Sequence, residues 1–192
     1  ACCSCISEPA HGSNVAGIET RAEKDGDGYV LNGNKMWITN GSVADVAVVM
    51  AKTKTDLEKP HRGITAFLVP TDIDGFEPTK ITNKLGIRAS DLAEIKLDDV
   101  RVPEENVIGE LNKGFYQLMD FFASGRSNVA AQAVGVAQAA IDASVDYANE
   151  REQGGKVIKE YQAVSHKIAD MAANTEAARS LTYRAASQIE AE

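Results

Sequence analysis

The residues most able to do chemistry by themselves are the three cysteines, Cys2, Cys3 and Cys5, which lie within four positions. Clustered thiolates could hold a metal ion, but a structural site needs a fourth ligand, and none stands at a suitable spacing. We therefore predict no metal site. The cysteines are interpreted as small, partly buried strand residues of a protein in a reducing compartment, the cytoplasm.

The three histidines, His11, His61 and His166, are the next candidates, because imidazole titrates near neutral pH and suits acid–base catalysis. His61 lies in a polar loop and His166 lies among helical residues. The sequence offers no orienting partner for any of the three. We therefore expect none of them to be catalytic.

Composition narrows the possible partners. The chain has 192 residues, 44% of them apolar, and a net charge of −8. Nucleic acid is excluded as the main partner, because phosphate binding needs clustered Lys and Arg. Apolar runs are too short to span a bilayer, and residues 1–13 do not form a signal peptide. The chain opens without Met and ends at Glu192 in helical sequence, so we expect an internal fragment.

Residues 1–109 are rich in turn signals and short apolar runs. The Asn32-Gly33 pair between Gly28–Leu31 and Lys35–Thr39 predicts a β-hairpin. Further strands are predicted at Val46–Lys52, Ile64–Val69 and Leu92–Val100. This pattern predicts an antiparallel β-barrel or sandwich domain over residues 1–109.

Residues 110–192 change to a helical pattern. Lys113 to about Glu150 is rich in Ala, the best helix former, and a second helix is predicted from about Val157 after a break at Arg151–Lys156. Apolar and small residues recur at 3-4 spacing in the second helix, at Tyr161, Val164, Ile168, Met171, Thr175 and Ala178. Such a seam fits a helical bundle better than a coiled-coil dimer. The predicted fold class is α+β, with the β domain followed by two long helices of an incomplete up-down bundle.

Five segments, in order along the chain, resemble signatures of the acyl-CoA dehydrogenase family. They are Ile6–Asn14 (T-E-P-x-x-G-S-D), Lys35–Gly41 (K-x-W-I-T-N-G), Leu85–Ser90 (L-G-x-R-x-S), Val100–Gly109 (V-x-V-P-x-x-N-x-L-G) and Arg151–Gln162 (R-x-x-F-G-x…Q). The resemblance implies that the chain comprises the family's middle β-barrel domain and the start of its C-terminal helical domain.

The resemblance also implies an activity and a cofactor. The family binds FAD and oxidises an acyl-CoA to the trans-2-enoyl-CoA, with loss of an α proton and transfer of the β hydrogen to flavin N5 as hydride. Reduced flavin accumulates negative charge, which fixed N–H dipoles stabilise. Carried over, the backbone of Cys5, Ile6 and Ser7 would face the flavin ring, and Gly12 and Ser13 would let the backbone approach.

The same resemblance places Trp37 and Ile38 against the flavin ring, with the hydroxyl of Thr39 directed toward N5. From the residues alone, the alternative for Trp37 is a core position on a β-hairpin, which is the commoner environment of a strand aromatic. The alternative for Gly12 is an ordinary turn glycine.

Other positions match the family's substrate and subunit contacts. Ser13 and Thr53 correspond to positions near CoA, and Arg126 to an arginine that holds the thioester and the catalytic carboxylate. Arg151 and Gln162 correspond to residues that contact the FAD of a neighbouring subunit. The alternatives are a solvated helix arginine for Arg126 and C-terminal helix capping for Arg151.

Two departures and a missing base qualify the resemblance. Gly154 stands where the family usually has Phe, and Leu92 replaces a common Thr. Gly125 occupies the position at which a few members carry the base, so we expect no catalytic residue in this chain and a glutamate downstream of Glu192. We therefore expect the isolated segment to be inactive.

The resemblance further implies an electron-transferring flavoprotein as partner and a homotetramer or homodimer. Two alternatives stay open at this stage. One is a flavin oxidase or monooxygenase of the same fold, and the other is a non-catalytic interaction protein.

Overall fold

The computed structural model of the chain describes residues 1–55 and 58–189. The chain divides into two compact units, Ala1–Leu118 and Met119–Glu192, and their boundary falls inside the first long helix. The predicted domain division at residues 109 and 110 stays a prediction. Among the described residues, no helix is both long and apolar enough to cross a membrane.

Eight strands of the first unit form one mixed sheet. They are β1 (Cys2–Cys5), β2 (Arg21–Asp25), β3 (Gly28–Thr39), β4 (Val46–Lys52), β5 (Ile64–Pro70), β6 (Phe76–Lys80), β7 (Leu92–Pro103) and β8 (Val107–Ile108). The order is β6, β7, β3, β2, β4, β5 and β8, and β1 pairs with β4 beside this path. The predicted fold class is confirmed, although β1 and β2 run parallel to β4 and the described strands do not close into a barrel.

The pairings of β4 explain where the chain leaves the sheet. Along β4, Cys2–Cys5 pair with Val46–Val49, and farther on Arg21 pairs with Lys52. Between these pairings the chain makes a long excursion over residues 6–20, opposite Met50 and Ala51. The peptide groups of β4 opposite this excursion need other hydrogen-bond partners, because buried peptide groups are almost always paired.

The core of the first unit is built from alternate strand residues. Cys3 and Cys5 are buried in β1, whereas Cys2 and Ser4 are exposed, as the period of two in a strand requires. The rings of Tyr29 and Phe67 meet edge to face inside this core, with centroids 5.2 Å apart. The three thiols are free, and the strand interpretation of the cysteines is confirmed for β1.

The predicted hairpin at Asn32-Gly33 is wrong. Strand β3 continues through this pair, and the observed hairpin joins Asp25 to Gly28. The side-chain amide of Asn32 bonds the carboxylate of Asp99 in β7 at a register shift. Gly33 is required for close approach, since a Cβ atom there would lie 2.5 Å from Oγ1 of Thr20. The glycine signal therefore marks backbone packing rather than a turn.

The second unit contains most of the first long helix and the second long helix, joined by a short hairpin. They are α1 (Gly114–Glu150) and α2 (Gln162–Ile189), with the strands β9 (Glu152–Gln153) and β10 (Lys156–Val157) between them. Within the described residues, the 3-10 helices are Val15–Gly17, Pro60–Gly63, Glu104–Asn106 and Ile158–Glu160. The predicted start of the second helix at Val157 is wrong, because that residue pairs with Glu152 in the hairpin.

The helices of the second unit carry heptad-like buried faces. In α1 the buried residues Val134, Ile141 and Ala148 lie seven residues apart. The predicted seam, which begins at Tyr161 just before α2, is shielded as far as Thr175, but Ala178 is exposed. The guanidinium of Arg179 donates to the side-chain oxygen of Gln138 at 2.6 Å, which links the two helices.

Candidate functional site

Trp37 lies on an irregularity of β3. The register of β3 against β7 shifts between Lys35, which faces Ile95, and Ile38, which faces Ala93. Trp37 takes a left-handed backbone conformation with φ of 63°, and its side chain is 60% exposed. Such a φ is strained for a bulky residue and persists where surrounding contacts enforce it. Lys35 and Ile38 therefore both point inward while Trp37 points out, so Trp37 is not a core residue.

Ser7 is held directly beside this irregularity. The backbone N–H of Met36 donates to the carbonyl oxygen of Ser7 at 2.9 Å, which ties the segment after β1 to the residue before Trp37. Neither the N–H nor the hydroxyl of Ser7 has a hydrogen-bond partner among the described residues. The same holds, within that described part, for the hydroxyl of Thr39 and the indole N–H of Trp37. Ser7, Trp37 and Thr39 thus form a surface, called the corner below, that presents an exposed aromatic face and several free donors.

A buried ion pair lies beneath the corner. Nζ of Lys35 is 2.8 Å from Oε1 of Glu8, and the Lys35 side chain is fully buried. Lys35 also donates to the carbonyl oxygens of Met50 at 2.8 Å and Ile6 at 3.3 Å. It therefore fills the gap in strand pairing beside β4 and fixes the segment that leads to Ser7.

Glu8 is held by further donors. The hydroxyl of Thr20 donates to Oε1 at 2.6 Å, its backbone N–H donates to the same oxygen at 3.0 Å, and the N–H of Glu19 donates to Oε2. Burial alone would raise the pKa of Glu8, but the charge and hydrogen bond of Lys35, with the Thr20 and Glu19 donors, hold that pKa below its usual value. Burial also lowers the pKa of Lys35, and the attraction of Glu8 opposes that shift.

The end of β3 is fixed by Asp91. Its carboxylate accepts the hydroxyl of Ser42 at 2.7 Å and the N–H of Ser42 at 3.0 Å, and its backbone carbonyl accepts the N–H of Asn40. The hydrogen bonds from Ser42, supported by Lys80, hold the pKa of Asp91 below its ordinary range. This clamp anchors the turn immediately after Thr39.

The glycine-serine segment lies on the excursion that follows Ser7. Glu8 and His11 exchange backbone hydrogen bonds of 2.9 and 3.1 Å, which closes a tight turn before Gly12 and Ser13. Both residues are exposed, and a Cβ atom at Gly12 would meet nothing within 4 Å. Open space at Gly12 is compatible with an approaching ligand and equally with an ordinary turn.

Thr53 lines a cationic cavity at the end of β4. Its hydroxyl bonds the carbonyl of Gly63, the hydroxyl of Thr65 and the side-chain oxygen of Asn112, at 2.7 to 3.1 Å. The cavity has a volume of about 460 Å³ and is also lined by Arg21, Lys24, Lys52 and Lys54. Because its hydroxyl is already engaged, Thr53 is suited to shaping this cavity.

The remaining predicted residues belong to the second unit. Arg126 is exposed in the middle of α1, Arg151 follows the end of α1, and Gln162 opens α2. At the hairpin between the helices, Gly154 has φ of 61°, and a Cβ atom there would lie 2.6 Å from the hydroxyl oxygen of Tyr161. Gly154, which stands where the family usually has Phe, therefore makes room for Tyr161. The Tyr161 hydroxyl donates to the carbonyl of Gln153.

The structure thus joins part of the predicted site and adds residues to it. Ser7 and the Trp37 segment meet, with Ile38 and Cys5 anchoring them in the core. Cys5 is fully buried, backbone included, so no part of it is exposed to a ligand in this structure. Sequence reasoning gave Lys35 no role. The sequence feature that could have indicated its burial is its position on the inward-facing side of β3, four residues after the buried Leu31.

Comparison with known proteins identifies the family. The acyl-CoA dehydrogenase middle domain matches residues 3–100, and the acyl-CoA dehydrogenase C-terminal domain matches residues 112–192. A probable acyl-CoA dehydrogenase of Bacillus subtilis is 45% identical over 181 residues, which cover 94% of this chain and 47% of that protein. A caffeyl-CoA reductase–Etf complex subunit of Acetobacterium woodii is 44% identical over 185 residues, covering 96% and 48%.

The solved structures agree with these matches. Butyryl-CoA dehydrogenase from Megasphaera elsdenii superposes with a TM-score of 0.90 at 40% identity, covering 100% of this chain and 50% of that one. The chain therefore spans about half the length of the relatives that it matches. Because the middle-domain match covers more than half of its residues, the chain belongs to the acyl-CoA dehydrogenase family.

Proposed function

We propose that the full-length protein is an FAD-dependent acyl-CoA dehydrogenase that converts an acyl-CoA thioester to the trans-2-enoyl-CoA. The observation that supports this most is the exposed indole of Trp37, held by a strained backbone beside the unpartnered donors of Ser7 and Thr39. An apolar ring system with polar edges fits such a surface, since an aromatic face and several hydrogen-bond donors meet there.

The residues of this corner would divide the work of holding a flavin. The N–H and hydroxyl of Ser7 would donate to the polar edge of the ring, and the hydroxyl of Thr39 would donate to N5. The indole of Trp37, with Ile38 behind it, would cover one face of the ring and exclude water. When bound, the flavin supplies hydride acceptance, and its reduced form is stabilised by fixed donors that need no reorganisation.

Substrate contacts are proposed for three residues. Ser13 and Thr53 would lie near the CoA moiety, the first through its exposed hydroxyl and the second through the cavity that it lines. Arg126 would orient the thioester, and Arg151 and Gln162 would reach the FAD of a neighbouring subunit. Gly12 would let the backbone approach the cofactor. The proton-abstracting glutamate is proposed downstream of Glu192.

Partners are proposed from the family and one relative. The name of the relative from Acetobacterium woodii places it in a complex with Etf. We propose that the full-length protein likewise passes electrons to an electron-transferring flavoprotein. A homotetramer or homodimer is proposed because Arg151 and Gln162 would serve the cofactor of a second copy.

The test is an anaerobic titration of the full-length protein with acyl-CoA thioesters. Loss of the oxidised-flavin absorbance together with formation of the 2-enoyl-CoA is the expected result. The 192-residue chain, supplied with FAD and the same thioesters, is expected to give no turnover because the proposed base lies downstream of Glu192. A full-length protein that binds no flavin, or whose flavin is not reduced by any acyl-CoA, contradicts the proposal.

A further inference from the structure

Lys35 donates a hydrogen bond to the peptide group between Ile6 and Ser7, whose N–H would face the flavin under the proposed function. Its ammonium donates to the carbonyl oxygen of Ile6, which belongs to the same peptide group as the N–H of Ser7. The described chain has no cis peptide bond, so the carbonyl and the N–H of this group point in opposite directions. The Ser7 N–H therefore points away from the buried lysine, in keeping with its lack of a partner among the described residues.

A cation bound to a carbonyl oxygen makes the N–H of the same peptide a stronger donor. Hydrogen bonds in a chain polarise one another, and bonds to ionised groups are the strongest. Lys35 is fully buried, so water does not screen its charge. The adjacent Glu8 carboxylate, at 2.8 Å, opposes that charge and limits what the peptide feels.

We propose that Lys35 is a positioning residue that raises the reduction potential of a bound flavin through the Ile6–Ser7 peptide, with Glu8 setting the size of the effect. The inference rests on the proposed function, because it requires a flavin against the Ser7 N–H. Reduced flavin carries the extra negative charge, so a stronger donor at Ser7 favours the reduced form over the oxidised form.

The experiment measures the flavin reduction potential of the full-length protein and its variants against reference dyes. Lys35→Met removes the cation and is expected to weaken binding of reduced relative to oxidised flavin at least tenfold, which lowers the potential by about 30 mV for a two-electron couple. Glu8→Gln removes the opposing charge and is expected to raise the potential. Lys96→Met, at an exposed ion pair of β7, is the matched control and is expected to leave it unchanged.

Opposite signs distinguish this role from simple structural support. If Lys35 only braces the loop, both variants loosen the same contacts and shift the potential in the same direction. A Glu8→Gln shift that is zero, or that has the sign of the Lys35→Met shift, overturns the proposal.

Folding of the variants does not limit the test. Lys35→Met leaves a buried carboxylate without its cation, so the single variant can fail to fold. Glu8→Gln and the double variant Lys35→Met/Glu8→Gln both lack that carboxylate and differ only in the lysine. The double variant is expected to have the lower potential of the two, and equal potentials contradict the proposal. A wild-type protein without flavin would instead refute the proposed function, before any variant is made.

Discussion

Glu8 and Lys35 form an ion pair that is stable because its hydrogen bonds are complete. Removing two charges from water costs several kcal/mol per ion, and Coulomb attraction alone often fails to offset it. Lys35 uses its three donors on Glu8, Ile6 and Met50, while Glu8 accepts from Lys35, Thr20 and Glu19. Each charge is therefore solvated by the protein, and the pair fixes the excursion over residues 6–20 to β3 and β4.

The ion pair predicts a specific dependence of stability on pH. The folded-state pKa of Glu8 is lowered from its ordinary value of 4.5, so its contribution is fully present above that value and is lost as pH falls through the folded pKa. The free energy of unfolding in urea should therefore fall more steeply for the wild type than for Glu8→Gln as pH is lowered below 4.5. Glu23→Gln, at an exposed site on β2, is the control that should keep the wild-type slope. Equal slopes for wild type and Glu8→Gln contradict the role of Glu8.

At the scale of single elements, the irregular end of β3 stores strain at the candidate site. Trp37 adopts a left-handed φ of 63° that glycine takes without penalty, whereas a residue with a Cβ atom loses about 1–2 kcal/mol there. Trp37→Gly should therefore be more stable than Trp37→Ala by about 1 kcal/mol in urea unfolding. At Thr39, outside the left-handed set, the order should reverse, with the glycine variant less stable than the alanine variant. A less stable Trp37→Gly would show that the strained backbone is not an energetic feature of this strand.

The hairpin between α1 and α2 gives a second prediction. Gly154 and Gly155 both have positive φ, but only at Gly154 would a Cβ atom meet the Tyr161 hydroxyl. Gly154→Ala should therefore reduce the free energy of unfolding by about 1 kcal/mol more than Gly155→Ala, which bears only the backbone penalty. Equal losses in thermal or urea unfolding would exclude the contact with Tyr161 as the reason for glycine at this position.

The elements also show which features the sequence could predict. The long helices and the β5 strand follow from strong composition and period, and the structure confirms them. The hairpin at Asn32-Gly33 was wrong because a local turn signal cannot reveal that Gly33 packs against Thr20 in another strand. The start of α2 was misplaced for a similar reason, since the pairing of Val157 with Glu152 depends on a tertiary fold-back.

The candidate site could also be predicted from the sequence only in part. The segments around Ser7 and Trp37 could be found from their motifs. Their adjacency could not, because it depends on the hydrogen bond between Met36 and Ser7 and on the register shift in β3. The role of Lys35 could not be predicted, because its burial is possible only with a carboxylate 27 residues away in sequence.

At the scale of the whole molecule, the proposed function makes the chain a flavin-binding surface followed by two helices of a longer protein. Its sequence spans about half of the relatives that it matches, and the proposed base lies outside it. The proposed flavin contacts of Ser7, Trp37 and Thr39 lie in residues 1–118, further proposed contacts lie at Arg126, Arg151 and Gln162, and proton abstraction is proposed for another segment. The proposed function depends on a flavin bound at the corner formed by Ser7, Trp37 and Thr39.

The measurement that tests this claim most directly is the FAD affinity of the full-length protein with Trp37 replaced by alanine. Loss of an aromatic contact of about 1.4 kcal/mol should weaken FAD binding about tenfold, as measured by titration of the apoprotein. Tyr183→Ala, which removes an exposed aromatic of α2, is the matched control and should bind FAD like the wild type. A Trp37→Ala protein that binds FAD with wild-type affinity would contradict the account.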